Sequence, residues 1–156
     1  VVHLVDNPGF LIGRKAEDEG TIRYGSRAMM AMYQSQTPIC VVHLRKAYGM
    51  GGSAPANLSR TKWRFAWPSG DWGSLPISGG LEAAYRAELE ASDNPKALLK
   101  DIQGRLNRVR SPFRTAEKFA IEDIIDPRDT RPLLCDFVEH AYRVLEPGPV
   151  KKGWRC

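Results

Sequence analysis

The stretch Leu44-Arg45-Lys46-Ala47-Tyr48-Gly49-Met50-Gly51-Gly52-Ser53-Ala54 continues an apolar run, Ile39-Cys40-Val41-Val42-His43-Leu44, and no other part of the chain limits its fold so strongly. The run reads as a buried strand, because β-branched residues and Leu dominate it and it follows the helix-breaking pair Thr37-Pro38. Glycines at 49, 51 and 52 let the backbone turn sharply and come close to a ligand, while Ser53 and Ala54 suit the first turn of a helix. Such a turn presents amides rather than side chains. Backbone N–H groups at a helix start have no intrahelical acceptor and lie at the positive end of the helix dipole. They can therefore stabilise an oxygen that becomes negative during a reaction. The same spacing also suits a plain strand-to-helix connector, and the turn alone does not choose between the two.

With 156 residues the chain is long enough for one domain with a real core. A hydrophobic fraction of 42% and a charged fraction of 26% argue against both disorder and a membrane protein. No apolar run approaches the roughly 20 residues that span a bilayer. Val1-Val2-His3-Leu4-Val5 lacks a basic flank and is cut short by Asp6, so it does not read as a signal peptide, and we expect a cytoplasmic setting, or the mitochondrial matrix in a eukaryote. Cys40, Cys135 and Cys156 are far apart and odd in number, which points to free thiols rather than a disulfide framework or metal knuckle; no metal site is expected. The net charge of +5 raises nucleic acid as a partner. Its local concentrations, Arg60-Lys62-Arg64, Arg105-Arg108-Arg110 and Lys151-Lys152-Arg155, stand in no nucleic-acid motif and read as solvated surface, part of which suits the phosphates of a coenzyme A ester.

Val1 to Val5 has the composition of a strand without any preceding element, so we expect a segment of a longer polypeptide, with residues 1–146 forming the domain and 147–156 a loose basic tail. Next, Asp6-Asn7-Pro8-Gly9-Phe10-Leu11-Ile12-Gly13 ends the strand in a turn where Gly9 takes a positive φ and Phe10 anchors the loop on the core. Ile22, Met29, Met32 and Tyr33 share one face of an amphipathic helix over about 17–36, the Met residues as core filler rather than a ligand site. The order is therefore strand, loop, helix, strand, loop, helix. Two amide-bearing loops at the ends of adjacent strands are able to supply one donor each to a single oxyanion hole. Farther on, Trp63 to Trp67 reads as a strand ending at Pro68-Ser69-Gly70-Asp71-Trp72-Gly73. Helical spacing follows for Leu81, Ala84, Tyr85 and Leu89, for Leu98 to Val109, and for an inward stripe of Leu134, Phe137, Val138, Ala141 and Leu145.

Five blocks in order then carry a resemblance: Asp6 to Gly13, Arg45-Lys46-Ala47-Tyr48-Gly49-Met50-Gly51, Ala66-Trp67-Pro68, Gly79 to Arg86, and Asp123-Ile124-Ile125-Asp126-Pro127-Arg128-Asp129-Thr130-Arg131. From about Val1 to about Tyr142 the chain resembles the C-terminal half of the carboxyltransferase component (beta subunit) of biotin-dependent acyl-CoA carboxylases. The resemblance implies an α/β, crotonase-like (ClpP/crotonase) spiral of ββα units. It implies transfer of a carboxyl group from carboxybiotin to the α-carbon of an acyl-CoA, at a site shared between the C-terminal half of one subunit and the N-terminal half of another in an oligomer. Biotin would be the cofactor, carried on a separate protein or domain, with biotin carboxyl carrier and biotin carboxylase components as partners. The oxyanion hole would use the backbone amides of Gly49, Met50 and Gly51, with Gly9, Phe10, Tyr48, Gly52 and Trp67 shaping the substrate pocket.

Many members of the family have Gly-Gly-Ala where this chain has Gly49-Met50-Gly51, and the half that chooses the acyl group lies outside the resemblance. Two other classes fit parts of the chain. A self-contained crotonase-like hydrolase or hydratase would use Ser53 with His3, His43 or His140, or Asp71 or Glu82 as acid-base, although Gly51-Gly52-Ser53-Ala54-Pro55 is not a Gly-x-Ser-x-Gly elbow. A non-catalytic assembly module would be retained to oligomerise or to dock a biotin carrier.

Overall fold

The computed structural model describes residues 1–35, 37–53, 63–74 and 77–145, with Ser53 and residues 77–79 described by their backbone only. Strand β1 (Val2–Asn7) leads through helices α1 (Arg14–Asp18) and α2 (Thr21–Gln34) to β2 (Cys40–Tyr48), with which it pairs in parallel. A short helix α3 (Gly49–Ser53) follows at once. On the other edge of β2, β3 (Trp63–Ala66) pairs from Cys40↔Trp63 to His43↔Ala66, and β4 (Asp71–Gly73) takes over from Lys46↔Asp71 to Tyr48↔Gly73. Helices α4 (Ile77–Ala84), α5 (Arg86–Glu90), α6 (Pro95–Asn107) and α7 (Pro112–Glu117) come next, then β5 (Asp123–Ile124), parallel to β3, a 3-10 turn at Pro127–Asp129 and α8 (Thr130–Val144). The architecture is thus α/β around a parallel sheet of order β1-β2-β3-β5, with β4 on β2.

β2 is buried on both faces, as its unbroken apolar start requires. Cys40 and Val42 join Phe65, Ile125 and Phe137 of α8, with Leu44, Trp63, Trp67, Leu133, Leu134 and Ala141 against them. Val41 turns the other way, to Val5, Ile39, Ala47 and Trp72. The period of two along the strand separates these clusters. Between β1 and β2 the register slips, from Val5↔His43 to Asn7↔Ala47. Asp6 fills the slip: its carboxylate accepts the Lys46 N–H at 3.0 Å and pairs with Arg45 at 3.0 Å.

The helices start where local chemistry permits. Asn94 accepts the Ala97 N–H ahead of Pro95, and Ser111 accepts the Phe113 N–H ahead of Pro112.

Several expectations need correction. The strand read as Ile39–Leu44 continues to Tyr48, because Lys46 to Tyr48 find a partner in β4, a strand hidden inside what reads as a turn. The helix carrying Leu81 to Leu89 breaks at Tyr85. Val138 and Leu145 of the final stripe are exposed, since α8 meets the core cluster along Leu133, Leu134, Phe137 and Ala141. Helix α2 buries no residue at all: Ile22 is 63% exposed, and Tyr33 also faces outward. Residues 147–156, read as a tail, lie outside the described residues.

Candidate active site

The turn after β2 folds back on its own strand. Gly49 has φ 56, and a Cβ there would stand 3.4 Å from the Ser74 carbonyl oxygen. A Cβ at Gly52 would stand only 2.2 Å from the Ala47 carbonyl carbon, so no side chain fits. At Gly51 a Cβ would meet Phe10 at 3.2 Å, Asn7 Oδ1 at 3.3 Å and the Gly9 carbonyl carbon at 3.3 Å. The loop after β1 and the turn after β2 therefore come together at Gly51, and Met50 beside it is 44% exposed.

Phe10 joins the two loops to α2. A Cβ at Gly25 would lie 2.3 Å from the Phe10 ring, so this ring occupies the notch that Gly25 leaves in α2 and reaches Gly51 on the other side. It is wedged between helix and turn, whereas the sequence reading anchors it in the core. Gly9 has the positive φ expected, at 108°, but its amide is engaged: it donates to Asn7 Oδ1 at 2.8 Å.

Tyr48 and Trp67 sit differently from a pocket wall. Tyr48 is 2% exposed, and its hydroxyl donates to Asp71 at 2.6 Å. Arg110 joins the pair: its Nε donates to Asp71 Oδ1 at 2.6 Å, and its Nη2 donates to both Asp71 Oδ2 and the Tyr48 hydroxyl. Burial pushes the Tyr48 phenol up to about 12, with the Asp71 carboxylate adding to the effect, so it remains a donor. Burial also pushes Asp71 upward, but the hydrogen bonds from Arg110 and Tyr48 outweigh it and hold the carboxyl below the usual range. Trp67 belongs to the cluster under α8, where its indole N–H donates to Thr130 at 2.9 Å.

The aromatic beside the turn is Trp72. Its ring lies 5.3 Å from that of His43, and its indole N–H donates to Thr115. These groups line a cavity of about 310 Å³ with Ala47, Gly49 and Gly52. A second cleft of about 370 Å³ runs along β1 and reaches Asn7 and Gly51, so the turn separates two hollows. His43 is 9% exposed and its Nδ1 has no hydrogen-bond partner among the described residues. Burial, reinforced by the charge of Arg64, lowers its pKa to about 4 and keeps it neutral. Arg64 itself is held by Glu122, at 3.1 Å.

Among the described residues, the histidines and carboxylates considered for an acid-base role do not converge on the turn. His43 and His140 stand on opposite faces of the sheet, one tilted against Trp72 and the other against Trp63. Asp71 is committed to Tyr48 and Arg110, and Glu82 is exposed. The Ser53 side chain lies outside the described residues. Among the described residues, no group of three or more His, Cys, Asp or Glu is placed to hold a metal ion. No described helix is long and apolar enough to cross a membrane. What the described residues do bring together at this point is a glycine-rich turn, Gly49 to Gly52, against the Asn7 to Phe10 loop.

Sequence reasoning missed Arg110, which reads as surface charge, and the pairing of Trp72 with His43. Asp71 drew notice only as an acid-base group. The one hint for Arg110 is its place in a short helix-to-helix corner before Ser111-Pro112.

The family described as Carboxyl transferase domain matches residues 1–153. The methylmalonyl-CoA carboxyltransferase 12S subunit of Propionibacterium freudenreichii subsp. shermanii is 34% identical over 97% of this chain and 29% of its own length. The human mitochondrial propionyl-CoA carboxylase beta chain is 28% identical over 99% of this chain and 27% of its own. A crystal structure of the transcarboxylase 12S hexamer assembly, with methylmalonyl-coenzyme A and methylmalonic acid bound, matches with a TM-score of 0.78 at 31% identity, covering 99% of this chain and 30% of that one. The chain thus spans under a third of these relatives, and the match falls in their C-terminal part. These carboxyltransferases have the crotonase-like fold, and the parallel sheet with its glycine turn is this chain's share of it.

Proposed function

The chain belongs to the carboxyl transferase domain family, and from that premise we propose that residues 1–146 are the biotin-side half of an acyl-CoA carboxyltransferase. The reaction moves a carboxyl group from carboxybiotin to the α-carbon of an acyl-CoA. The observation that carries this reading is the close approach, at Gly51, of the two loops at the ends of adjacent parallel strands, Asn7-Pro8-Gly9-Phe10 and Gly49-Met50-Gly51.

Carboxybiotin supplies an activated carboxyl group whose departure leaves negative charge on the ureido oxygen. Neutral amide donors suit that oxygen, because they stabilise charge without giving up a proton. Since the Gly9 amide is taken by Asn7, the donors fall to the turn at Gly49, Met50 and Gly51 and to the backbone of Phe10. The closeness of the loops favours a flat group such as a ureido ring, because a side chain at Gly51 would collide with Phe10 and Asn7. Tyr48 and Gly52 serve by holding the turn, and Trp72 takes the wall position expected of Trp67.

The remaining parts follow from the same reading. The acyl-CoA is of the propionyl or methylmalonyl type named for the relatives, and its binding half is supplied by another segment or subunit. Biotin arrives on a separate carrier loaded by a biotin carboxylase, and the assembly is a homo-oligomer in the cytoplasm or the mitochondrial matrix. The apolar surface beside the site supports a covering partner: Leu11 is 73% and Ile12 85% exposed, next to the open face of α2.

The test is carboxyl transfer from methylmalonyl-CoA to free biotin, with and without an acyl-CoA-binding half added. Activity that appears only with the added half is the expected result. A well-folded assembly with neither transfer nor biotin binding would overturn the catalytic reading.

A further inference from the structure

We propose that Arg110 is a positioning residue for the amide turn: by gripping Asp71 and Tyr48 it fixes the end of β2, and with it the direction in which the Met50 and Gly51 amides point. The inference rests on the function proposed above and names a part of its machinery.

Three of the turn's five residues are glycines, with no side chain of their own to fasten it. The last side chain before it that is buried and tied by hydrogen bonds is that of Tyr48. Gly49 then reverses the backbone at φ 56, so a small rotation at Tyr48 is carried straight into the following amides. What Tyr48 grips is therefore what aims the turn.

Arg110 makes that grip rigid. Its Nε and Nη2 take the two oxygens of Asp71 as a fork, while Nη2 also meets the Tyr48 hydroxyl. The guanidinium is partly withdrawn from water, with its side chain 24% and that of Asp71 29% exposed. The corner that carries it, between α6 and α7, is fastened as well. The Arg110 carbonyl accepts the Trp72 N–H at 3.4 Å, and Nη1 donates to Asn107 at 3.1 Å. The cluster thus links β2, β4 and the α6–α7 corner at the point where the turn begins. A lysine keeps the charge but has no fork, so charge and geometry are separable here.

The experiment uses the assembled carboxyltransferase, this chain together with an acyl-CoA half, and compares Arg110→Lys, Tyr48→Phe and their double variant with Arg105→Lys, whose parent residue pairs with Asp101 one turn before it on the exposed side of α6. Misaiming a donor costs up to about 100-fold in rate. The expected result is a kcat about 10- to 100-fold lower for Arg110→Lys, with KM for the acyl-CoA within about twofold. Tyr48→Phe should fall similarly and the double variant little further, while Arg105→Lys stays at the wild-type value. Hydrogen exchange across residues 47–53 should quicken in both single variants and in the double variant, and not in Arg105→Lys. Unchanged kcat in folded Arg110→Lys, or a rise in KM with kcat intact, would overturn the proposal. If the wild-type assembly transfers no carboxyl group, the functional reading fails, and the exchange measurement then decides the positioning role by itself: unaltered exchange at 47–53 refutes it.

Discussion

The two long amphipathic helices at either end of the described chain have nearly the same length and opposite fates. Helix α8 (Thr130–Val144) lays Phe137, at 2% exposure, into the cluster of Cys40, Val42, Phe65 and Ile125. Helix α2 (Thr21–Gln34) buries nothing and touches the site mainly through Gly25, where the Phe10 ring sits. One face of β2 is thus closed by the chain itself. The other, which carries the turn and the hollows, is the more open: it buries Val5, Ile39, Val41 and Ala47 around Trp72, but α2 adds no buried residue to it. Patterning alone makes a helix amphipathic; only a partner makes it a core helix.

The largest expected effect should sharpen that contrast from the closed side. Phe137→Ala removes the centre of the α8 cluster and should destabilise the chain by about 3–5 kcal/mol in urea unfolding. On the open side the leading quantity is pH. His43 is neutral in the fold, with a pKa of about 4 against 6.5 for the free side chain. Between those values the unfolded chain binds a proton that the folded chain does not, so stability rises with pH across the window. Lowering the pH from about 6.5 to about 4 should therefore cost up to about 3 kcal/mol through this one group. His43→Leu should flatten that slope; an unchanged slope would show that the imidazole is hydrated rather than buried.

A smaller change is expected at the turn. Gly52→Ala forces a Cβ against Ala47, with a loss of about 1–3 kcal/mol from overpacking, and carboxyl transfer should fall far more than stability does. The smallest belongs to α2. Ile22→Ser, at an exposed site, should move stability by less than about 0.5 kcal/mol yet weaken assembly as read by sedimentation. A large stability loss at Ile22 would break the comparison by showing that α2 is held by its own chain.

These contrasts also explain what could be read from the residues alone. The runs that became β1, β2 and β3, and the turn that ends β2, carry strong local signals: β-branched residues, then glycines at 49, 51 and 52. Strand β4 does not, because Asp71-Trp72-Gly73 is three residues inside a Pro, Ser and Gly cluster, too short for any period to show. For the same reason Trp67 and Trp72 look interchangeable in the sequence. Which of them meets the turn depends on the step from β3 to β4 along the edge of β2. Arg110 finds Asp71 across 39 positions and Tyr48 across 62, and no local pattern encodes such a meeting. The facing of α2 was illegible for another reason, since periodicity gives a stripe but not its neighbour.

The slip between β1 and β2 sets a dimension. From one paired position to the next, β1 advances from Val5 to Asn7, two residues, while β2 advances from His43 to Ala47, four. The surplus of two residues amounts to about 7 Å of extended chain. Asp6 clasps that surplus with its carboxylate, so the second strand reaches its turn at the height where Gly51 lies beside Asn7. The gap between the loops is accordingly metered by residue count, like an offset between two rulers. A chain that kept every site residue but lost two positions between Leu44 and Tyr48 would hold its amides intact and out of register with the loop they have to meet.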